Sequence, residues 1–518
     1  MIENARLRKA ALFCLFLLAG GVLSACMKFE LQYDFLQYHY YNGFAFWNNR
    51  LGVDIAPAFI PTFYNPLLDA VMYALMSVLK QHVTIYCFIQ GLWFGALMYL
   101  AFKISALYFD LTTRSGKVFA GISLLICATG TATWFQMGTA THETELAVLT
   151  VGAFYLLLRD KKHFFAAGLL LGMAAGFKLT AAIYCISTGL TLILFYKTLD
   201  KPLKSISVFA LGGLIGFLIV DGFWMIKLWN LYGNPFFPFW NGIFKSPYFP
   251  EHNYIDPLHL NGKTFWDRLF APFLMAYQNG FSVNMQSFDP RFAVAVVVGA
   301  LSFVVYRKHI NKKVLFAGIY ALVCFIVWEI LSFNARFLIP AEIVVGILLT
   351  YALYVFWKKH PELNVKTAFF YALAAIVLYA FLAVPFITEP WGKRKNLDVI
   401  GEKIILPPDS VLLLKGEFSQ FVAADILKDN PSVRAIAYGL HEVITDWNVN
   451  RYGKMEKLAT NVMRGKKKYI LMDKLLWLGN DDVTFEAYSW NCRYMKVGDI
   501  GLYDGKRFYF FCDKDNEQ

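Results

Sequence analysis

Down to about residue 390 the chain alternates long apolar runs with short polar turns. Apolar runs of about 17–25 residues read as helices that span a bilayer. They fall near 10–27, 84–102, 118–136, 142–158, 179–196, 205–226, 292–306, 314–332, 338–357 and 367–387. Two shorter stretches are 164–177, which ends at Lys178, and 64–80, which follows a Pro-rich turn. Beyond residue 388 the pattern changes. SVLLLKG, RAIAYGL and KKYILMDK read as buried strands separated by helix-like stretches, which predicts a small α/β domain. The terminal YMKVGDIGLYDGKRFYFF reads as a hairpin turning at Asp504-Gly505. The predicted fold is mostly α: a polytopic membrane helix bundle at 1–390 with a small α/β domain at 391–518.

Composition agrees with this pattern. Of 518 residues 58% are hydrophobic and 17% charged, against about a quarter charged in soluble domains. A soluble enzyme, a disordered chain and a disulfide scaffold are excluded. The net charge of +12 raises the question of a nucleic-acid partner, and its distribution answers it. Place the N-terminus in the cytoplasm, 64–80 in the interface, and 164–177 across the bilayer as a short helix. The cytoplasmic segments are then 1–9, 103–117, 159–163, 197–204, 307–313 and 358–366, and they hold 19 Lys and Arg. The much longer outer segments down to residue 387 hold 10. Making 64–80 a full span would put Arg159, Lys161 and Lys162 outside. The positive-inside rule therefore selects eleven helices, with the C-terminal domain outside the cytoplasm. That domain has 20 basic and 19 acidic residues from 388 on and is nearly neutral. The excess charge records orientation, and no nucleic-acid partner is expected. The run Lys466-Lys467-Lys468 reads as a solvated turn. The absence of any Asn-x-Ser/Thr sequon fits a bacterial inner membrane protein with a periplasmic domain.

The N-terminus has two readings. Arg6, Arg8 and Lys9 precede an apolar run ending Leu23-Ser24-Ala25-Cys26, which matches a lipoprotein cleavage signal. The same segment reads as an uncleaved first membrane helix, and the many other anchors favour that. Cys14, Cys87, Cys127, Cys185 and Cys324 lie in apolar runs as small hydrophobes, and no CxxC pair exists. Cys492 and Cys512, in the outer domain, are either disulfide-bonded or two reduced strand cysteines.

With this threading the unusual polar residues collect on the outer side. Asp34 lies in the first outer loop, in LQYDFLQYHYYNGFAFWNNR. Glu143 and Glu145 stand at the outer start of a helix, in THETE. Lys178 ends GMAAGFKLT, Asp221 and Glu329 lie near outer helix ends, and Arg336 sits in FNARFLIP. Ionisable groups at membrane depth are costly and mark functional sites. The set suits transfer of a group from an anionic lipid-linked donor. A carboxylate (Asp34, Glu145 or Glu143) takes a proton from an acceptor, and Lys178 and Arg336 hold a phosphate leaving group. Tyr33, His39, Tyr40, Asn65, Asn234, Asp221 and Glu329 are candidates for the substrate pocket. Several have a plainer reading: Glu143 as a helix cap, Lys178 as a snorkelling lysine, and Asp221 and Glu329 as packing partners of Lys227 and Arg336.

The order of these features resembles the GT-C superfamily of polytopic glycosyltransferases, which includes lipid A aminoarabinose transferases and protein mannosyltransferases. Asp34 in YDFLQYHYYN takes the place of their first-loop Asp, and Glu143 or Glu145 that of a second acid. Tyr64-Asn65-Pro66-Leu67 resembles the Pro-containing close of that loop. AGLLLGMAAGFKLTA resembles their short Gly-rich helix ending in Lys, and NARFLIPAEIVV their late Arg-aromatic-x-x-Pro helix start. GNPFFPFWNGIFKSPYF resembles a loop of bacterial members. The resemblance implies a polyprenyl-phosphate sugar donor, a lipid, glycan or protein acceptor, and usually inversion at the anomeric carbon. Some members use a divalent metal and others none. Glu rather than Asp at the second acidic position departs from their pattern, so no metal ligand is assigned.

Two other classes stay open. O-antigen ligases and polymerases resemble a His-Asn pair followed by nine residues and Gly, and His252-Asn253 with Gly262 is one residue short of it. A transporter or flippase would show an internal repeat with paired broken helices. Neither YDFLQYHY nor GNPFFPF has a second copy.

Overall fold

The computed structural model describes residues 2–27, 33–79, 82–160, 162–253, 263–278, 280–283, 288–306, 311–359, 403–416, 418–437, 454–475, 491–495 and 507–513. The main helices are α1 (Ile2–Cys26), α2 (Tyr40–Trp47), α3 (Leu67–Leu79), α4 (Val83–Ser105), α5 (Arg114–Ala128), α6 (Thr131–Phe135), α7 (Glu143–Arg159), α8 (Phe164–Phe177), α9 (Ala182–Leu194), α10 (Pro202–Tyr232), α11 (Arg291–Tyr306), α12 (Lys312–Leu331), α13 (Ile339–Lys359), α14 (Ser419–Asp429) and α15 (Lys454–Met463). The strands are β1 (Val411–Lys415), β2 (Arg434–Ala437), β3 (Lys468–Leu475), β4 (Asn491–Met495) and β5 (Arg507–Asp513). Among the described residues five helical segments are long and apolar enough to cross a membrane, in α1, α4, α10, α12 and Ala335–Lys359. The chain is a multi-pass membrane protein. The predicted eleventh span, 367–387, lies outside the described residues.

The chain forms two compact units. One comprises 1–27, 87–220 and 256–390, and the other 28–86, 221–255 and 391–518.

The first unit is the helical bundle. Apolar side chains from α4, α7, α8, α9, α12 and α13 form one core around Leu97, Phe154, Leu171, Trp328 and Ile343. Apolar burial drives little association between helices in lipid, so close backbone contact at small residues takes its place. The glycines of α8 supply such a contact with α10. A Cβ on Gly172 would lie 1.9 Å from the Gly213 carbonyl, and one on Gly168 2.0 Å from that of Phe209. The α1–α4 crossing is built alike, since a Cβ on Gly20 would meet the Gly91 carbonyl at 2.5 Å. Gly172→Leu should cost about 1–3 kcal/mol by overpacking and lower the melting temperature in detergent. A Cβ on Gly189 would meet nothing within 4 Å, so Gly189→Leu should leave it unchanged. Equal melting of the two variants would refute the close contact.

The structure corrects one predicted span. Residues 118–136 are not one helix: α5 stops at Ala128, and the short α6 begins at Thr131. The cause is the buried Glu342 of α13. Its carboxylate accepts the Ala132 and Thr133 backbone N–H groups, each at 2.9 Å, and the Thr133 hydroxyl at 2.8 Å. Glu342 thus caps a second helix start in mid-span. Arg291 donates to the Thr129 carbonyl and lies 3.2 Å from Asp289, which closes the break from the other side.

The second unit contains the sheet, in order β2-β1-β3-β5-β4. The strands β1, β2 and β3 run parallel, and β5 pairs antiparallel with β3 and β4. The three predicted strands are therefore β1, β2 and β3. The final pair is β4 and β5, while the predicted turn at Asp504-Gly505 lies outside the described residues. Cys512 is disulfide-bonded, and Cys492 faces it across the β4–β5 ladder.

The edge of β2 is covered by the loop that follows α2. Ile55 N donates to Ala435 O at 2.9 Å, and Ala437 N donates back to Ile55 O at 3.2 Å. Arg50 and Asp54 fix this contact. Arg50 binds both carboxylate oxygens of Asp54 at 2.6 Å and donates to the carbonyls of Pro431 and Val433. Asp54 also accepts Ala435 N at 2.8 Å and the Tyr41 hydroxyl at 2.6 Å. Burial opposes the Arg50 charge, but the bonds to Asp54 outweigh it and raise its pKa. Burial, and then Asp54, push the Tyr41 hydroxyl well above its usual value. Covering an edge strand in this way removes a row of open backbone groups.

Candidate active site

In the helical unit, three separate turns deliver charged side chains to one place. Glu143 is the first residue of α7, Lys178 follows the last residue of α8, and Arg336 lies in the 3-10 turn Ala335–Leu338 ahead of α13. Lys178 Nζ binds Glu143 Oε1 at 2.6 Å and Thr141 O at 3.2 Å. Arg336 Nε lies 3.6 Å from the same carboxylate oxygen. Both cations also approach the Phe337 ring, Lys178 at 5.8 Å and Arg336 at 5.2 Å from its centroid. The carboxylate stands at a helix N-terminus, where the dipole favours negative charge. Two cations thus converge on one carboxylate.

The turns themselves are pinned. Ser282 donates to the Phe333 carbonyl at 2.8 Å, Trp328 Nε1 to Asn334 O at 2.7 Å, and Ala335 N to Val283 O at 2.9 Å. His142 and Phe333, beside Glu143 and Arg336, have φ of +69° and +55°. Non-glycine residues in this region cost on the order of 1–3 kcal/mol and collect at functional sites.

A cavity of about 20 Å³ opens beside the trio, lined by Glu143, Thr150, Thr180, Tyr184, Arg336 and Pro340 among others. Thr180 Oγ1 is buried there with no hydrogen-bond partner among the described residues. A buried hydroxyl is rarely left unpaired, so Thr180 joins the candidate contacts. Its signal in the sequence is slight: it stands two residues after Lys178.

The other predicted residues fall as follows. Glu145 pairs with His142 at 3.3 Å, so it is Glu143 that meets both cations. Glu329 is half-buried in α12, and its backbone carbonyl accepts from Arg268. In the second unit Asp34 directly precedes a π-helical turn, Phe35–His39, of a type frequent at functional sites. The Tyr38 hydroxyl lies 3.4 Å from its carboxylate. Tyr33 packs edge-on against Phe418 at 5.0 Å. His39 Nδ1 bonds Asp69 at 2.6 Å, and both are buried. The Tyr40 hydroxyl binds Asp425 at 3.2 Å. Asn65 donates to Asp221 at 2.9 Å and accepts Leu67 N at 3.0 Å, which starts α3. Asn234 braces its own turn, donating to Phe239 O at 2.9 Å and accepting Phe236 N at 2.9 Å. Among the described residues Asp221 accepts from Asn65, Lys227 Nζ lies over the Trp224 ring, and Arg336 approaches Glu143.

These features define a class: a polytopic membrane helix bundle, carrying a carboxylate–lysine–arginine cluster at its helix ends, with a small α/β domain. The particular likeness is to ArnT from Cupriavidus metallidurans, whose crystal structure is bound to undecaprenyl phosphate. That structure matches 99% of this chain and 98% of its own, with a TM-score of 0.55 and 11% sequence identity. At this identity the match establishes the fold. The sequence matches no family profile and no curated protein.

Proposed function

We propose that the protein is an integral membrane glycosyltransferase of the bacterial inner membrane. It moves a sugar from a polyprenyl-phosphate donor to an envelope lipid, glycan or protein at the outer face, where its C-terminal domain lies. The observation that carries this reading is the convergence of Lys178 and Arg336 on Glu143 beside a cavity. The binding of undecaprenyl phosphate by the ArnT of like fold supports it.

Lys178 and Arg336 bind the donor phosphate. As the bond from the sugar carbon to the phosphate oxygen breaks, they offset the charge the phosphate gains. Asp34 takes the proton from the acceptor hydroxyl or amine, whose oxygen or nitrogen bonds the sugar carbon. Glu143 holds the two cations in place, and His142 orients Glu145.

The test is transfer of labelled sugar by the purified full-length protein from an undecaprenyl-phosphate donor to an envelope extract. Label should appear in one acceptor fraction, and none from a nucleotide-sugar donor. Removing a hydrogen bond to a charged group costs about 1.5–3 kcal/mol, so Lys178→Met should raise KM for the donor roughly 10- to 100-fold. No transfer to any fraction, or transfer from the nucleotide sugar alone, would sink the reading.

A further inference from the structure

The second unit contains a crevice that plays no part in the proposed reaction. It lies between the outer end of α10 and the loop that follows α2. Lys227, Asn42, Arg50, Asp54 and Trp224 are among its lining residues. Two of these have unmet chemistry. Lys227 is half-buried and has no carboxylate within salt-bridge distance among the described residues; its Nζ lies over the Trp224 ring, 5.9 Å from the centroid. Asn42 is buried, and its Nδ2 donates to Pro61 O at 2.9 Å. A carbonyl accepts only from a donor, so this bond fixes the orientation of the amide. The opposite atom, Asn42 Oδ1, is then an acceptor without a partner among the described residues. Arg50 adds no free charge, because Asp54 neutralises it and its nitrogens are engaged.

Unpaired buried acceptors and half-buried cations both carry a cost that a bound group removes. The required group has a negative charge for Lys227 and a hydrogen-bond donor for Asn42. The flank of α10 next to Lys227 says where it comes from. Phe223, Ile226 and Trp229, spaced three apart along one flank, are 41%, 64% and 54% exposed, an apolar and aromatic face suited to lipid. We infer that the crevice holds the headgroup of a phospholipid whose phosphodiester ends in a hydroxyl or primary amine. The phosphate meets Lys227, the terminal donor meets Asn42, and the acyl chains lie along α10. This inference stands apart from the glycosyltransferase reading and needs only that the chain spans a bilayer.

The experiment is native mass spectrometry of the full-length protein released from detergent, titrated with phosphatidylglycerol, phosphatidylethanolamine and phosphatidylcholine. One phosphatidylglycerol or phosphatidylethanolamine should bind more tightly than the rest. Phosphatidylcholine, whose headgroup has no N–H or O–H, should bind that site several-fold more weakly. Lys227→Gln should weaken the tight site on the order of tenfold, and Lys227→Arg should keep it. Melting of the lipid-free variants at the wild-type temperature shows that they fold. Unchanged binding by Lys227→Gln, or equal binding of all three lipids, overturns the inference. Full displacement by inorganic phosphate at equal concentration also overturns it, since the site would then take the anion without the lipid.

Discussion

Asp34→Asn should lower kcat for sugar transfer by about 10²–10⁴-fold, the usual worth of a general base. The change is isosteric. It leaves an oxygen facing the Tyr38 hydroxyl, 3.4 Å away in the native chain, so the π-helical turn should persist. The amide cannot accept the acceptor's proton at neutral pH. The loss should therefore fall on kcat, with KM for the donor and the melting temperature close to those of the native protein. Lys178→Met is expected to raise donor KM and to lower kcat as well, because the ammonium both holds the phosphate and offsets the charge it gains. Measuring both parameters for both variants separates the base from the phosphate contacts. Transfer by Asp34→Asn within about tenfold of the native rate would remove Asp34 from the chemistry.

Arg50→Met should destabilise the second unit by about 3–5 kcal/mol, because it leaves a buried carboxylate without its cation. Asp54 would keep Ala435 N and the Tyr41 hydroxyl as donors, but its charge would be uncompensated. The carbonyls of Pro431 and Val433 would lose their donor as well. Arg50→Lys should recover only a small part, since an ammonium cannot match the forked contacts to Asp54 and two carbonyls. The effect should also reach the loop that carries Asp34. The Ile55–Ala435 pairing, the Tyr40–Asp425 bond and the packing of Phe35 on Phe421 tie that loop to the same domain. Hydrogen exchange at residues 40–60 should therefore rise together with exchange in β2. A melting temperature unchanged from the native protein would show that the buried pair contributes nothing.

The difference between expectation and structure turns on a few residues. The apolar runs locate helices because a bilayer demands internally satisfied backbone over about 20 residues. Where a run is broken, the pattern gives no warning. Residues 118–136 are apolar throughout enough of their length to span, yet they divide at Gly130 because Glu342 caps a new helix start. A Cβ on Gly130 would lie 2.2 Å from that carboxylate, so the glycine is part of the break. Glu342 lies in NARFLIPAEIVV beside Arg336, but its partner is 209 residues away in sequence. The strands β1, β2 and β3 are legible because buried parallel strands are short continuous apolar runs. The coverage of the β2 edge by Ile55 is not, since one loop residue has no periodicity to read.

The candidate site divides in the same way. Composition, apolar periodicity and the sidedness of Lys and Arg determine by themselves that this is a multi-pass membrane protein. They also bring Asp34, Glu143, Lys178 and Arg336 forward as candidates, because charge near a bilayer is costly enough to stand out. Only the tertiary structure decided the pairing. It chose Glu143 over Glu145 for the two cations, added Thr180 to the cavity wall, and gave Asp221 to Asn65. The reason is range. Hydropathy is a local property that a window of one helix records. A hydrogen bond or ion pair forms within about 3–4 Å, between side chains that only the folded chain brings together.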